Sequence, residues 1–342
     1  MTLDQLINQL EPDLAAVFKA AMEDLRNGID RAALIDALER NDIESAIRAL
    51  NIEPAVFNQY AQVRASQYAA FGGAVTSTIP SANRFNMANP RAEAWIREQS
   101  ATRIVGYTEE QVATARRVIF EGYQRGEGPQ DIATEIAGRI NPLTRRREGG
   151  IIGLSDPQAE YVQSMRARLA SGDPVEMRKV LGTYKDGKWT PGTGMTLRDR
   201  RFDRTIAKAI REEKPIPKKK LDEMVAKYSD RLLAKRARDV ARTETAQAVE
   251  GAKAESYQQA LDKNNMPDDA VTKTWIHAGG REDARAQHLI MHDVSVKGMN
   301  AKFTLPDGTQ MAHTHDPAGG AKHNANCRCN TRYEIDFARG VL

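Results

Sequence analysis

The chain has 342 residues, of which 41% are hydrophobic, 28% charged and only 6% aromatic, and its net charge is +4. That length suits two or three domains and a core that needs no covalent staples. The composition reads as a helix-rich chain rather than a β-sandwich, and apolar residues recurring at helical spacing exclude disorder throughout. No apolar run approaches the ~20 residues that cross a bilayer, so no membrane segment is expected. Met1 to Leu10 includes Asp4 and lacks a basic start, so no secretory leader is expected either.

The first sixty residues read as short helices. Leu14, Val17, Phe18, Ala21, Met22 and Leu25 form an apolar stripe at helical spacing, with Pro12 in the first turn of that helix. Asn41-Asp-Ile-Glu44 predicts a capping box that opens the next helix. Residues 1–71 make an N-terminal helical region. Gly72-Gly73, Pro80 and Pro90 then predict a loop or extended arm over 72–90. A helical segment over 91–150 follows. Thr108-Glu-Glu-Gln111 predicts a helix start, Pro129 another, and Asn141-Pro142 a stop before a basic linker, Arg145-Arg-Arg147 with Gly149-Gly150. In the body, 151–265, Ser155-Asp-Pro-Gln158 is a third capping box and 182–196 reads as loop. From Lys218 to about Leu261 the pattern is one long helix with a bend expected near Gly251.

After Pro267 the period shortens to two. Val271, Lys273, Trp275 and His277 alternate with Thr272, Thr274 and Ile276, the mark of a strand. Further strands are expected at Ala301 to Leu305 and Arg328 to Ile335, with a turn at Pro306-Asp-Gly308. The predicted fold is mainly α, a helical body with a small C-terminal α+β module over 266–342.

Charge and chemistry are unevenly spread. Residues 1–60 carry 5 Lys/Arg against 11 Asp/Glu, whereas 197–239 carry 15 against 8. Different partners are expected for the acidic end and the basic middle. Lys218, Lys219, Lys220 and Arg236 are candidate phosphate contacts, and a solvated helix face is the alternative. All six histidines and both cysteines lie between His277 and Cys329. A Cys-x-Cys disulfide is strained, so a disulfide framework is excluded and a reducing compartment is expected. On an extended strand both thiols face one way, and with His288 and His315 they make a candidate zinc set. The metal-free alternative packs Cys327 as an apolar side chain and bonds His288 to Asp283.

Four pieces stand in order: Ala241-Arg-Thr-Glu-Thr245, Trp275-Ile276, Asp283-x-Arg285-x-x-His288 and Asn326-Cys-Arg-Cys329. Together they resemble the Mu protein F-like family of phage head morphogenesis proteins, the minor head or minor capsid proteins. The motif covers about 235–335, and Arg200-Arg-Phe-Asp-Arg-Thr205 with the Tyr228 to Arg236 stretch is also similar to family members. Asp293 stands where the family usually has Gly, and Thr314-His315-Asp316 where it has Pro-Gly-Asp. The resemblance implies motif residues Arg242, Thr243, Glu244, Trp275, Asp283, Arg285, His288, Asp316, Asn326, Cys327 and Cys329. It implies a virion protein of a tailed phage, made in the bacterial cytoplasm and placed in the head interior or portal region. Its partners would be the portal, other head proteins and packaged DNA without sequence preference, in support of assembly, packaging or ejection.

Two classes of function are therefore carried forward. One is a non-enzymatic minor head protein with no required cofactor, in which Arg242 or Glu244 ties the long helix to the module through a buried ion pair. The other is a metal-dependent nuclease or hydrolase using His288, His313, His315 and an acid, Asp283 or Asp293.

Overall fold

The computed structural model describes residues 3–80, 82, 84–182, 184–185, 188–189, 194–277 and 284–340. It is mainly α with a small C-terminal α+β region, as the periodicity predicts. The helices are α1 (Leu3–Gly28), α2 (Arg31–Glu39), α3 (Ile43–Arg48), α4 (Asn58–Thr76), α5 (Pro90–Gln124) and α6 (Pro129–Ala137). A hairpin of β1 (Arg139–Ile140) and β2 (Arg147–Glu148) follows, then α7 (Asp156–Ala170) and α8 (Pro174–Leu181). Next come a short hairpin, β3 (Tyr184–Lys185) with β4 (Lys188–Trp189), then α9 (Asp203–Glu212) and the 46-residue α10 (Lys218–Lys263). The module holds β5 (Val271–Ile276), α11 (Ala286–Ile290), β6 (Ser295–Lys297), β7 (Phe303–Thr304), β8 (Gln310–Met311), α12 (Gly320–Asn324) and β9 (Asn330–Ile335). No helix among the described residues is long and apolar enough to cross a membrane.

The chain forms two compact units, each built from separated stretches. One comprises Met1–Phe18, Asn58–Arg103 and Ala237–Leu342; the other comprises Lys19–Phe57 and Ile104–Arg236. In the first, α4, the start of α5 and the end of α10 enclose Tyr68, Ala92 and Ala252, with Phe85, Trp95 and Ile96 packed against them. Gly251 does not interrupt α10. A Cβ there would lie 2.7 Å from the Trp95 ring, so the glycine serves close packing inside a continuous helix.

Several local expectations shift for identifiable reasons. Pro12 lies inside α1, because Ile7, Leu14, Phe18 and Met22 bury one stripe on both sides of it. The cap of α3 is Asp42, whose carboxylate accepts from the Ser45 N–H at 2.9 Å, with Asn41 left-handed just before it. Thr108 starts no helix: its hydroxyl bonds back to the Ile104 and Val105 carbonyls within α5. Gln111 bridges instead to Leu154 O at 3.0 Å and the Gly153 N–H at 2.6 Å. The box at Ser155 forms, with Gln158 accepting from the Ser155 N–H at 3.2 Å.

Over 72–90 the expected arm is helical to Thr76, and Pro90 already belongs to α5. Gln259 clasps Asn86 from α10 through two backbone bonds, at 2.8 and 3.0 Å. The expected basic linker closes as the β1–β2 hairpin, in which Arg139 and Lys227 both pair with the buried Glu148. Part of the expected loop at 182–196 forms the β3–β4 hairpin, and the rest lies outside the described residues.

In the module the sheet order is β6-β5-β9, antiparallel throughout, with Trp275 opposite Thr331 and Val271 opposite Ile335. Val271, Lys273 and Trp275 are buried as the alternation predicts, and Thr274 is buried as well. β7 and β8 pair around the expected turn. One core gathers Trp275, Met291, Phe303, Leu305, Met311, Cys327 and Cys329.

Candidate metal centre in the C-terminal module

The centre is built from α11, α12 and the approach to β9. His288 comes from the short helix α11 and is 2% exposed. Arg285, one residue before that helix, donates to the carbonyls of Lys322 at 2.8 Å and Ala325 at 2.6 Å, which fixes α11 against the α12 segment. Asn326 takes the left-handed conformation, φ +53°, which an Asn tolerates better than most residues. The chain thereby turns Cys327 and Cys329 inward, both buried.

The two sulfurs converge on one nitrogen. His288 Nδ1 lies 3.5 Å from Cys327 Sγ and 3.6 Å from Cys329 Sγ. All three donor atoms lie within 4.8 Å of one another, so they could hold a metal ion. The backbone N–H of Cys329 also points at Cys327 Sγ, at 3.4 Å. Cys327 is held well below the ordinary thiol range, first by hydrogen bonding with Cys329, while burial opposes the shift.

Behind His288 runs a polar chain. His288 Nε2 lies 3.2 Å from His323 Nδ1, and His323 Nε2 lies 3.0 Å from Asp307 Oδ2. Asp307 is pushed far below the usual carboxylate range, first by its bond to Lys322, so it accepts only. With the His323 ring neutral, its proton sits on Nε2 and its Nδ1 accepts from His288 Nε2–H. His288 consequently presents an Nδ1 lone pair to both sulfurs. The order carboxylate, imidazole, imidazole, thiols fixes the tautomer of a metal-ligating histidine through its outer partners.

The remaining motif residues have other tasks. Trp275 packs its ring edge-on to His288, at 5.3 Å between centroids. Asp316 accepts from the N–H groups of Ala312 and Ala318, at 2.6 and 2.9 Å, and so holds the turn after β8. Thr243 Oγ1 accepts from the Asn326 N–H at 3.2 Å, which anchors the cysteine turn to α10. The ion pairs seen for Arg242 and Glu244 among the described residues go to α1, α4 and α5. Glu244 pairs with Arg64 and Arg103 at 3.4 and 3.3 Å and with the Tyr60 hydroxyl, and Arg242 pairs with Glu11 at 3.0 Å.

Glu250, fully buried, makes the helix-to-module link: its Oε2 accepts from Thr314 Oγ1 and the Thr331 N–H, both at 3.0 Å. Its sign in the sequence is an acid inside the small apolar run Ala246 to Ala252. Lys273 is the second residue that sequence reasoning missed. It lies on the apolar face of β5 and donates to the carbonyls of Met299, Ala301 and Ala312 at 2.8, 2.5 and 2.8 Å. Burial pushes its ammonium down to about 8.

Not every proposed ligand or contact joins the site. His315 stands outside the three-residue group: its Nε2 bonds the Cys329 carbonyl at 2.9 Å and its buried Nδ1 has no hydrogen-bond partner. His313 Nδ1 bonds its neighbour's carbonyl, Thr314 O, at 2.7 Å. Asp293 is exposed beside His292, at 3.6 Å, and Asp283 lies outside the described residues. Among the described residues, then, the hydrolase set of His288, His313, His315 and an acid is not gathered at one point.

Part of the basic stretch is paired with acids. Arg236, 6% exposed, pairs with Glu110 and donates to Gly153 O, so it is not a phosphate contact. Lys218 pairs with Asp131 and Lys220 with Glu223, while Lys219 is exposed. Comparison of the chain with known proteins finds no matching family model, curated protein or solved structure.

Proposed function

We propose that the chain is a non-enzymatic minor head protein of a tailed phage, of the Mu protein F-like kind. In this reading the C-terminal module is a zinc-stapled structural domain and the protein works at the portal. The observation that carries the reading is backbone conformation. Asp293 and His315 stand at the two positions where the family has Gly, and both are left-handed, φ +61° and +59°. Glycine is the residue such positions favour. A chance likeness of motifs has no reason to put its departures at the two places where the backbone asks for what the family supplies. Asn326, the first residue of Asn-Cys-Arg-Cys, is left-handed for the same steric reason.

Zinc is supported by the donor set and its spacing. One Nδ1 faces two sulfurs, and a metal satisfies all three atoms at once. Bond lengths of about 2.0 Å to nitrogen and 2.3 Å to sulfur put an N···S edge of a tetrahedron at about 3.6 Å. The observed edges are 3.5 and 3.6 Å. Thiolates with imidazole favour zinc over hard cations. His315, with its unmatched Nδ1, is where a fourth protein ligand would come from. Zinc would supply cross-linking here, joining α11 to the β9 approach.

The test of the head-protein reading is co-expression of the full chain with the portal protein of the same phage genome. Recovery of both as one complex on size exclusion is the expected result. Portal that elutes without this chain, at concentrations where both are folded, overturns the reading.

A further inference from the structure

Helix α9, in the compact unit of Lys19–Phe57 and Ile104–Arg236, has two unlike sides. Ile206 and Ala209 are buried on the inner side, and Phe202 is buried just before the helix. Arg204, Lys208 and Arg211 are exposed, and their spacing of four and three residues sets them on one face. At 1.5 Å of rise per residue that row is about 10 Å long. Arg200 before the helix and Lys214 after it are exposed as well. The neighbouring helix α8 packs on α9 and exposes Arg178.

These cations are short of carboxylates. Among the described residues Arg178, Arg200, Arg204, Arg211 and Lys214 make no ion pair. Lys208 meets Glu212 at 3.7 Å with both side chains exposed, a contact that contributes little. The acids at the start of the helix are already taken: Asp203 holds Arg198 at 2.8 Å, and Asp199 holds Arg201 at 2.6 Å. Glu212 and Glu213 are exposed at the far end of the row. On α10, by contrast, Lys218 and Lys220 are paired with acids and Arg236 is buried. The positive excess that the sequence places over 197–239 therefore emerges on α9.

We propose that α9 lies along the phosphate backbone of duplex DNA, with Arg204, Lys208 and Arg211 as the central contacts and Arg200 and Lys214 extending the row. One strand of a duplex carries a phosphate about every 3.4 Å of axis, so a row of about 10 Å meets about three of them. The make-up of the face selects this partner. Its exposed residues are Arg204, Ala207, Lys208, Arg211 and Glu212. No aromatic ring is offered for stacking on a single strand, and no large apolar side chain for anchoring a protein. Contacts to phosphate carry no base information, so binding has no sequence preference. The surface stands apart from the head-protein reading, because its charges are placed by the fold of this unit and no portal enters the test.

The experiment is fluorescence anisotropy of a labelled random-sequence DNA duplex titrated with the full chain between about 50 and 200 mM salt. The expected result is saturable binding whose log affinity falls against log salt with a slope of about −3 to −5, as three to five phosphate contacts require. Arg204→Gln, Lys208→Gln and Arg211→Gln together should weaken binding about tenfold or more at the lower salt and flatten the slope by about three. Lys218→Gln with Lys220→Gln, whose cations are paired, should change the slope by less than about one. Glu212→Gln with Glu213→Gln should tighten binding about threefold, and it covers the case in which the triple variant fails to fold. No binding at the lower salt, or binding unchanged in both α9 variants, overturns the proposal. Displacement by polyglutamate as readily as by unlabelled duplex at equal charge also overturns it, and would mark the face as a seat for an acidic protein.

Discussion

The C-terminal module and the charged cleft lined by α5, α6, α7 and the start of α10 bury polar groups in opposite ways. In the module a chain of buried polar groups is directed onto partners, Asp307 onto His323, His323 onto His288, Glu250 onto Thr314 and Thr331, Lys273 onto three carbonyls, while His315 Nδ1, Asn324 Oδ1 and the Tyr333 hydroxyl have no hydrogen-bond partner. In the cleft the charges are paired in a loose network around the buried Glu135. A closed set of directional bonds specifies one arrangement and holds it. An open set keeps a group whose charge depends on what occupies the space beside it. The first pattern suits a structural staple, and the second leaves a buried acid whose ionisation is penalised.

The comparison is most sharply broken at the cysteines. Full-length Cys327→Ser with Cys329→Ser should lack the zinc proposed for the parent, measured as metal per chain, and should melt well below the parent protein. Removal of a structural metal takes away folding free energy directly. A parent protein without metal after expression in zinc-supplemented medium, or a double variant that melts like the parent, would remove the staple from the account.

A smaller effect is expected at Glu250. Glu250→Ala leaves Thr314 Oγ1 and the Thr331 N–H buried without their acceptor, at a cost of about 2–4 kcal/mol. Glu250→Gln keeps one acceptor oxygen and should cost less than half of that. Chemical denaturation of the three proteins side by side tests the ordering, and equal stability of all three would show that the Glu250 bonds add nothing to how α10 holds the module.

The smallest predicted effect has the opposite sign. Glu135 sits up at about 7 in the folded chain because burial penalises its charge. A carboxyl raised on folding stabilises the folded state below its unfolded value of ~4.5, and that contribution is lost as pH rises through the folded value. Glu135→Gln mimics the protonated form. It should therefore melt like the parent near pH 4.5 and be more stable at pH 8, by about 1–3 kcal/mol, with Arg125 offsetting part of the gap. Equal melting at both pH values would mean that the carboxylate is solvated in the cleft.

Much of the architecture was legible in the residues themselves. The run from Lys218 keeps one apolar stripe and contains no proline until Pro267, so α10 emerged nearly to its ends. The change to a period of two at Val271 announced β5, because alternation is a local property of an extended backbone. The clustering of His288, Cys327 and Cys329 in the last quarter marked the centre, since those side chains are rare, although the cysteines lie just before β9 and not on the expected strand. Local signals misled where a distant atom competed for the same group. Thr108 and Gln111 carry the letters of a helix start, but Gln111 is taken by Gly153 and Leu154.

Only the tertiary structure could decide the partners. Nothing near Asp307 distinguishes it from an ordinary turn residue, yet folding lays it against His323 and so sets which nitrogen of His288 is bare. Arg236 looked like part of a basic face until Glu110 and Gly153 enclosed it. Glu135 is one acid among many in the sequence, and only the packing of α5, α6 and α7 around it penalises its charge. The physical reason is common to all three. Helix and strand formation depends on neighbours along the chain, and the sequence determined those elements alone. Charge state, tautomer and ligand capacity depend on neighbours in space, which exist only once the chain has closed.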